Sequence, residues 1–294
     1  MEKWVMILYQ KRRKFLKKIK YIIAVLAIFI CIACSIKKDD LEGAVIYTTS
    51  YPINYITTYL YADYGEIASI YPIDSDPNTY KLNDTQYRNY AKGDLFIYNG
   101  LTSEKEIAKE LMNKNGNLLI IDVTYGLNDD ISYDDLWINP SNYLIVAKNI
   151  KTNLSENVKS IFIVDEINKK YADFEEKLSL IDARLHSLAK TANNNSKTIV
   201  IANEKFSFLE NYGFVIVNLA DDSINKNNKL DNIKSYFKTG KYKYILAEES
   251  QKNDELLTSL KGTILSVNNF NGIDEKDYFN YMTSFVDQIE TIVS

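Results

Sequence analysis

Residues 155–192 read SENVKSIFIVDEINKKYADFEEKLSLIDARLHSLAKTA and contain neither Pro nor Gly. Apolar side chains recur at Ile161, Ile163, Ile167, Tyr171, Phe174, Leu178, Ile181 and Leu185, the three-to-four spacing of one helix face. A helix of about 35 residues spans about 50 Å, longer than a small lobe, so this stretch is predicted to bridge two lobes. Asn139-Pro140 just upstream combines an N-cap residue with Pro at the first helical position, and starts a separate helix predicted to end near Lys151. Asn193-Asn194-Asn195-Ser196 closes the long one.

Outward from the helix, both flanks alternate. On the N-terminal side, short apolar runs at 44–49, 67–71, 94–98 and 118–123 read as strands. Between them lie helical patterns at 52–64, 83–92 and from Ser103, where Glu106 three residues on suggests a capping box. On the C-terminal side, strands are expected at 198–202, 214–219, 244–247 and 263–267. Helices are expected near 205–212, 229–239, 251–260 and 275–292. Alternating strands and helices imply an α/β fold with parallel sheets. The expected organisation is an N-terminal α/β lobe over 43–154, a linking helix over 155–192 and a second α/β lobe over 193–294. Ligands of such sheets sit beyond the carboxyl ends of the strands, here the cleft between the lobes.

The chain of 294 residues has two Cys and one His, which leaves no room for zinc fingers, a disulfide framework or a site of several imidazoles. No Gly-rich phosphate loop, nucleophile elbow or Cys/His pair is present, so the residues argue against an enzyme. Paired acids such as Asp134-Asp135 and Glu248-Glu249 are too common a feature to argue for glycoside chemistry.

The N-terminus reads as a leader over residues 1–33. The basic run KRRKFLKKIK at 11–20 precedes the uncharged YIIAVLAIFICIA at 21–33, which is shorter than a membrane span. Cys34 follows Ile32-Ala33 in a pattern that resembles a bacterial lipobox, which implies lipidation of Cys34 and a tether over 34–42. Residues 1–33 hold eight of the 35 Lys and Arg but one of the 39 acids, so the mature chain carries 27 bases against 38 acids. That net of −11 disfavours a nucleic-acid partner and suits a cation.

Five segments carry a family resemblance. Residues 71–80, YPIDSDPNTY, are similar to a P-x-G-x-D-P-H-x-Y loop, and 91–101, AKGDLFIYNGL, to an A-D-L-x-x-Y-N-G segment. Residues 135–142, DLWINPSN, resemble H-x-W-L-D-P-x-N; Ala202-Asn203-Glu204-Lys205-Phe206 with Tyr212-Gly213 resembles A-H-x-x-F…Y-G; and Ala247-Glu248-Glu249 resembles a strand-end F-x-E. The family is the zinc and manganese receptor branch of bacterial ABC-transporter solute-binding lipoproteins. Membership implies two α/β lobes joined by one long helix, the organisation already read from the periodicity.

The resemblance implies an ion held by His in the first loop, His before the Trp, His or Glu in the second lobe, and a late acid. Those positions are Asn78, Asp135 and Asn203 here, with Asp274 or Asp277 as the late carboxylate, and the one His, His186, lies on the long helix. Tyr80, Trp137, Glu204 and Glu248 are the expected cleft walls. Oxygen donors suit hard cations better than zinc. The implied protein is a monomeric, lipid-anchored receptor on the outer face of the membrane, delivering Mn2+ or Zn2+ to an ABC-transporter permease. Two alternatives stay open: a small polar solute in the same cleft, held by Asn amides, and an adhesin on the same fold that binds no metal. A continuous helix between the lobes predicts modest closure over the ligand.

Overall fold

The computed structural model describes residues 41–72, 75, 77, 79–128, 131, 134–193, 196–225, 229–267 and 278–294. The long apolar face forms one helix, α6, from Ile161 to Thr191, 31 residues and about 46 Å at 1.5 Å per residue. Ile163, Ile167, Phe174, Leu178, Ile181, Leu185 and Ala189 are its buried stripe, while Ile161 at its first turn is 78% exposed. The helix starts later than the periodicity implied. The preceding helix, α5 (Pro140–Asn157), takes residues 155–157, and Val158 turns extended and is buried. Ser160 then caps α6 by accepting a hydrogen bond from the Ile163 N–H. A buried Val side chain breaks the helix here, with no Pro or Gly required.

On the N-terminal side lie β1 (Ala44–Thr48), α1 (Tyr51–Tyr61), β2 (Gly65–Ser69), α2 (Asp84–Tyr90), β3 (Leu95–Tyr98), α3 (Glu104–Lys114), β4 (Leu119–Asp122) and the short α4 (Asp135–Ile138). The sheet is parallel throughout, in the order β2-β1-β3-β4. The second lobe holds β5 (Thr198–Ile201), a 3-10 helix (Glu204–Tyr212), β6 (Val215–Asn218), α7 (Lys229–Lys238), β7 (Tyr244–Glu248), α8 (Glu255–Ser259), β8 (Thr263–Val267) and α9 (Tyr278–Val293). Its sheet is also parallel, in the order β6-β5-β7-β8. Crossing helices cover these sheets, and so β3, β5 and β7 read as near-continuous apolar runs.

One hydrophobic cluster runs from Ile46 and Ile121 in the first sheet, along α6, to Ile199 and Phe285 in the second lobe. Phe174 is its hub, with ring centroids 5.4 Å from Tyr59, 5.6 Å from Tyr143 and 5.1 Å from Phe279. Helix α9 returns from the second lobe to pack on α6 and brings Tyr278 against Tyr55 and Tyr143 of the first. Among the described residues, no helix is long and apolar enough to cross a membrane.

Two local expectations are corrected. Ser103 makes no cap: its backbone is helical and its side chain makes no capping hydrogen bond. The next residue explains this, because Glu104 is buried and accepts the Asn99 N–H at 2.9 Å, so tertiary packing sets the turn. A capping box does form one helix earlier, between Asn83 and Gln86 at the start of α2. Residues 204–212, expected as an ordinary helical segment, form the tighter 3-10 helix.

Candidate metal centre between the lobes

The carboxyl ends of the first sheet are stitched by polar side chains that the strands place there. Asp122, at the end of β4, accepts from the Gly100 N–H at 3.0 Å, the Thr124 N–H at 2.9 Å and the Thr124 hydroxyl at 2.6 Å. Asn99 accepts the Leu101 N–H through its own side chain, which closes the Asn-Gly turn after β3. Beneath this turn sits Glu104, 1% exposed. Burial pushes its carboxyl up to about 7, against hydrogen bonds involving Thr49, the Asn99 N–H and Tyr71 that favour the anion.

In the second lobe, β5 ends at Ile201 and the chain turns at Asn203, whose side-chain oxygen accepts the Lys205 N–H at 3.0 Å. The tight turn drives the Lys205 side chain inward, where it is 2% exposed and ion-paired with Glu248 at the end of β7. Glu248 also accepts the Ser250 hydroxyl at 3.1 Å. Its N–H donates to the Gln251 side-chain carbonyl at 3.2 Å, and the Gln251 amide donates to the Ala202 carbonyl at 3.0 Å. These bonds lock the ends of β5 and β7 together.

The first lobe supplies the third charge. Asp134 lies immediately before α4, which packs against the 3-10 helix of the second lobe. Burial raises the Asp134 carboxyl above the usual carboxylate range; the Lys205 ammonium opposes the rise, Glu248 adds to it, and a hydrogen bond with Trp137 opposes it. Tyr281 of α9 closes the group, its ring 5.5 Å from Trp137. Its hydroxyl is raised by burial first, then by the charges of Asp134 and Glu248.

The residues singled out from the sequence fare unequally. Cys34, Asn78, Asp274 and Asp277 lie outside the described residues, and Asp135 is described only as the first residue of α4. Asn203 serves as a turn cap, and Glu204 beside it is exposed. Tyr80 packs edge-on against Tyr71 at 5.8 Å and accepts the Gln86 amide at 2.8 Å, within a satellite core of the first lobe. Trp137 is 1% exposed and therefore a core residue that also touches the polar group. Glu248 stands inside that group. His186 is exposed on α6, its ring 4.6 Å from Tyr212, well apart from these residues in its contacts.

Sequence reading passed over Lys205 and Tyr281. The signal for Lys205 was its place two residues after Asn203, within a turn tight enough to bury it. Tyr281 carried none, since one Tyr on an amphipathic helix looks like any other. Two carboxylates from opposite lobes can neutralise a dication, whereas the ammonium between them cannot bind one. Among the described residues, no three His, Cys, Asp or Glu side chains converge as a metal-holding group.

Comparison with known proteins agrees with this architecture. The profile of the family described as zinc-uptake complex component A, periplasmic (ZnuA), matches residues 46–292. The metal ABC transporter substrate-binding lipoprotein FimA of Streptococcus parasanguinis is 28% identical over 214 residues, 64% of this chain and 68% of FimA. The manganese ABC transporter substrate-binding lipoprotein PsaA of Streptococcus mitis is 28% identical over 204 residues, 62% of this chain and 64% of PsaA. Among solved structures, the Zn(II)-bound ZnuA-like domain of AdcA from Streptococcus pneumoniae superposes with a TM-score of 0.69 at 18% identity. That superposition covers 85% of this chain and 99% of the domain, and shows the shared fold. With the family profile spanning both lobes and the linking helix, the chain belongs to the ZnuA family of metal ABC-transporter substrate-binding proteins, which bind a solute and catalyse no reaction.

Proposed function

We propose that the protein is the cargo receptor of an ABC importer, held outside the membrane by lipid on Cys34, and that it captures a divalent ion of the manganese or zinc class between its lobes. The observation that carries this reading is the meeting of Asp134 from the first lobe with Glu248 from the second, at the carboxyl ends of both sheets. Asn78, Asp135, Asn203 and a late acid, Asp274 or Asp277, would complete an all-oxygen donor set. Such donors fit Mn2+ better than Zn2+, because carbonyl and carboxylate oxygens favour hard cations. Membership of the family supports the assignment, as do relatives named for manganese transport. The downstream partner is the permease that accepts the ion, and relatives named as lipoproteins support a lipid anchor.

The test is elemental analysis of the protein purified from its own host, followed by melting curves with Mn2+, Zn2+, Fe2+, Ca2+ and Mg2+. A co-purifying metal and a rise in melting temperature with that metal are expected. A melting curve unmoved by all five ions sinks the metal reading. An organic molecule released on denaturation would instead support a small polar cargo.

A further inference from the structure

The structure assigns Lys205 the role of a tethered cation that occupies the inter-lobe carboxylates and sets how tightly a divalent ion can bind there. The inference rests on the metal-receptor reading of the cleft. Its basis is the mismatch between the donor set and a dication. Lys205 is 2% exposed and its ammonium is paired with Glu248, which is itself only 20% exposed. Asp134, arriving from the other lobe, is near enough for both groups to act on its carboxyl. With the ammonium in place, the two carboxylates are already half neutralised. Adding a dication would leave buried positive charge in excess, which low-polarity surroundings penalise heavily.

Capture of a dication therefore requires the Lys205 side chain to withdraw from Glu248. The Phe206 ring lies against the ammonium, 5.4 Å from the nitrogen to the ring centre, so that motion also breaks a cation–π contact. Lys205 thus tunes the site toward loose, exchangeable binding. A lysine does this better than an arginine would, because its compact charge sits on a flexible stem and forms no rigid bidentate fork with the carboxylate.

The experiment is calorimetric titration of MnCl2 and ZnCl2 into the wild-type protein, Lys205→Met and Lys205→Gln, with a thermal melt of each to establish that it is folded. Met keeps the stem without the charge, and Gln keeps a hydrogen-bond donor for Glu248 should the Met variant fail to fold. Binding at least tenfold tighter in a folded variant than in the wild type is expected. Metal binding by a variant where the wild type binds none would also support the role of Lys205, while overturning the metal-receptor reading of the natural protein. Wild-type binding that is unchanged or weakened in both variants overturns the role of Lys205 and leaves the receptor reading standing. Binding by no protein at all overturns both.

Discussion

The Tyr278 hydroxyl donates to the main-chain carbonyl of Trp137 at 2.8 Å, a fully buried hydrogen bond between residues 141 apart in the chain. It ties the first turn of α9 to α4, and so fixes the second lobe's last helix against the segment that carries Asp134. Tyr278→Phe leaves the ring packing but removes this hydrogen bond. We predict a loss of about 0.5–1.5 kcal/mol in urea unfolding. An unchanged unfolding midpoint and slope would show that the bond adds nothing to the junction.

Glu104 gives the protein a pH dependence. Its carboxyl is lifted from 4.5 to about 7, so the folded protein keeps a proton that the unfolded chain has already released. The stability due to this group is complete below about pH 4.5, declines as pH rises and is gone above about 7, a swing of roughly 3 kcal/mol. Glu104→Gln cannot lose that proton. The variant's stability relative to wild type should therefore climb between about pH 5 and 8 in urea melts at constant salt. A flat difference across that window would mean that the carboxyl titrates in its ordinary range.

Phe174 touches aromatic rings from α1, α5 and α9 and is completely buried. Phe174→Ala opens a cavity where the three helices meet α6, and a cost of about 3–5 kcal/mol is expected. Thermal unfolding checks it. A cost under about 1 kcal/mol would require the surrounding rings to collapse into the space.

Gly100 is required by close approach. A Cβ there would sit 1.9 Å from the Asp122 carboxylate, which holds the Gly100 and Thr124 N–H groups and the Thr124 hydroxyl. Gly100→Ala should cost about 2–3 kcal/mol by displacing that carboxylate from its donors. The same substitution placed in an Asp122→Ala background should cost much less, which a double-mutant cycle measures. Equal costs in both backgrounds would place the strain elsewhere.

The regular scaffold was legible because it is written in local periods. The eight strands among the described residues, the two lobes and the helix between them follow from runs such as Leu95–Tyr98 and from the apolar stripe of Ile163 to Leu185, whose neighbours in space are also near in sequence. The Asn139 cap with Pro140 behind it was readable for the same reason, and its side chain does accept the Ser141 N–H at 3.1 Å. The break at 158–160, the missing cap at Ser103 and the 3-10 turn after Asn203 were not, because each is imposed by a side chain buried against distant elements.

By itself, then, the sequence determined the two-lobed α/β frame, its long bridging helix and the family whose spacing it shares. Only the tertiary structure decided which charges share the cleft. Lys205 and Glu248 are 43 residues apart, and Asp134 comes from the other lobe. No local pattern encodes such a group. A buried charge acquires its meaning from whichever partner the fold delivers, and a lysine that any helix surface could carry becomes here a buried ion-pair partner of Glu248 that also acts on Asp134 from the other lobe.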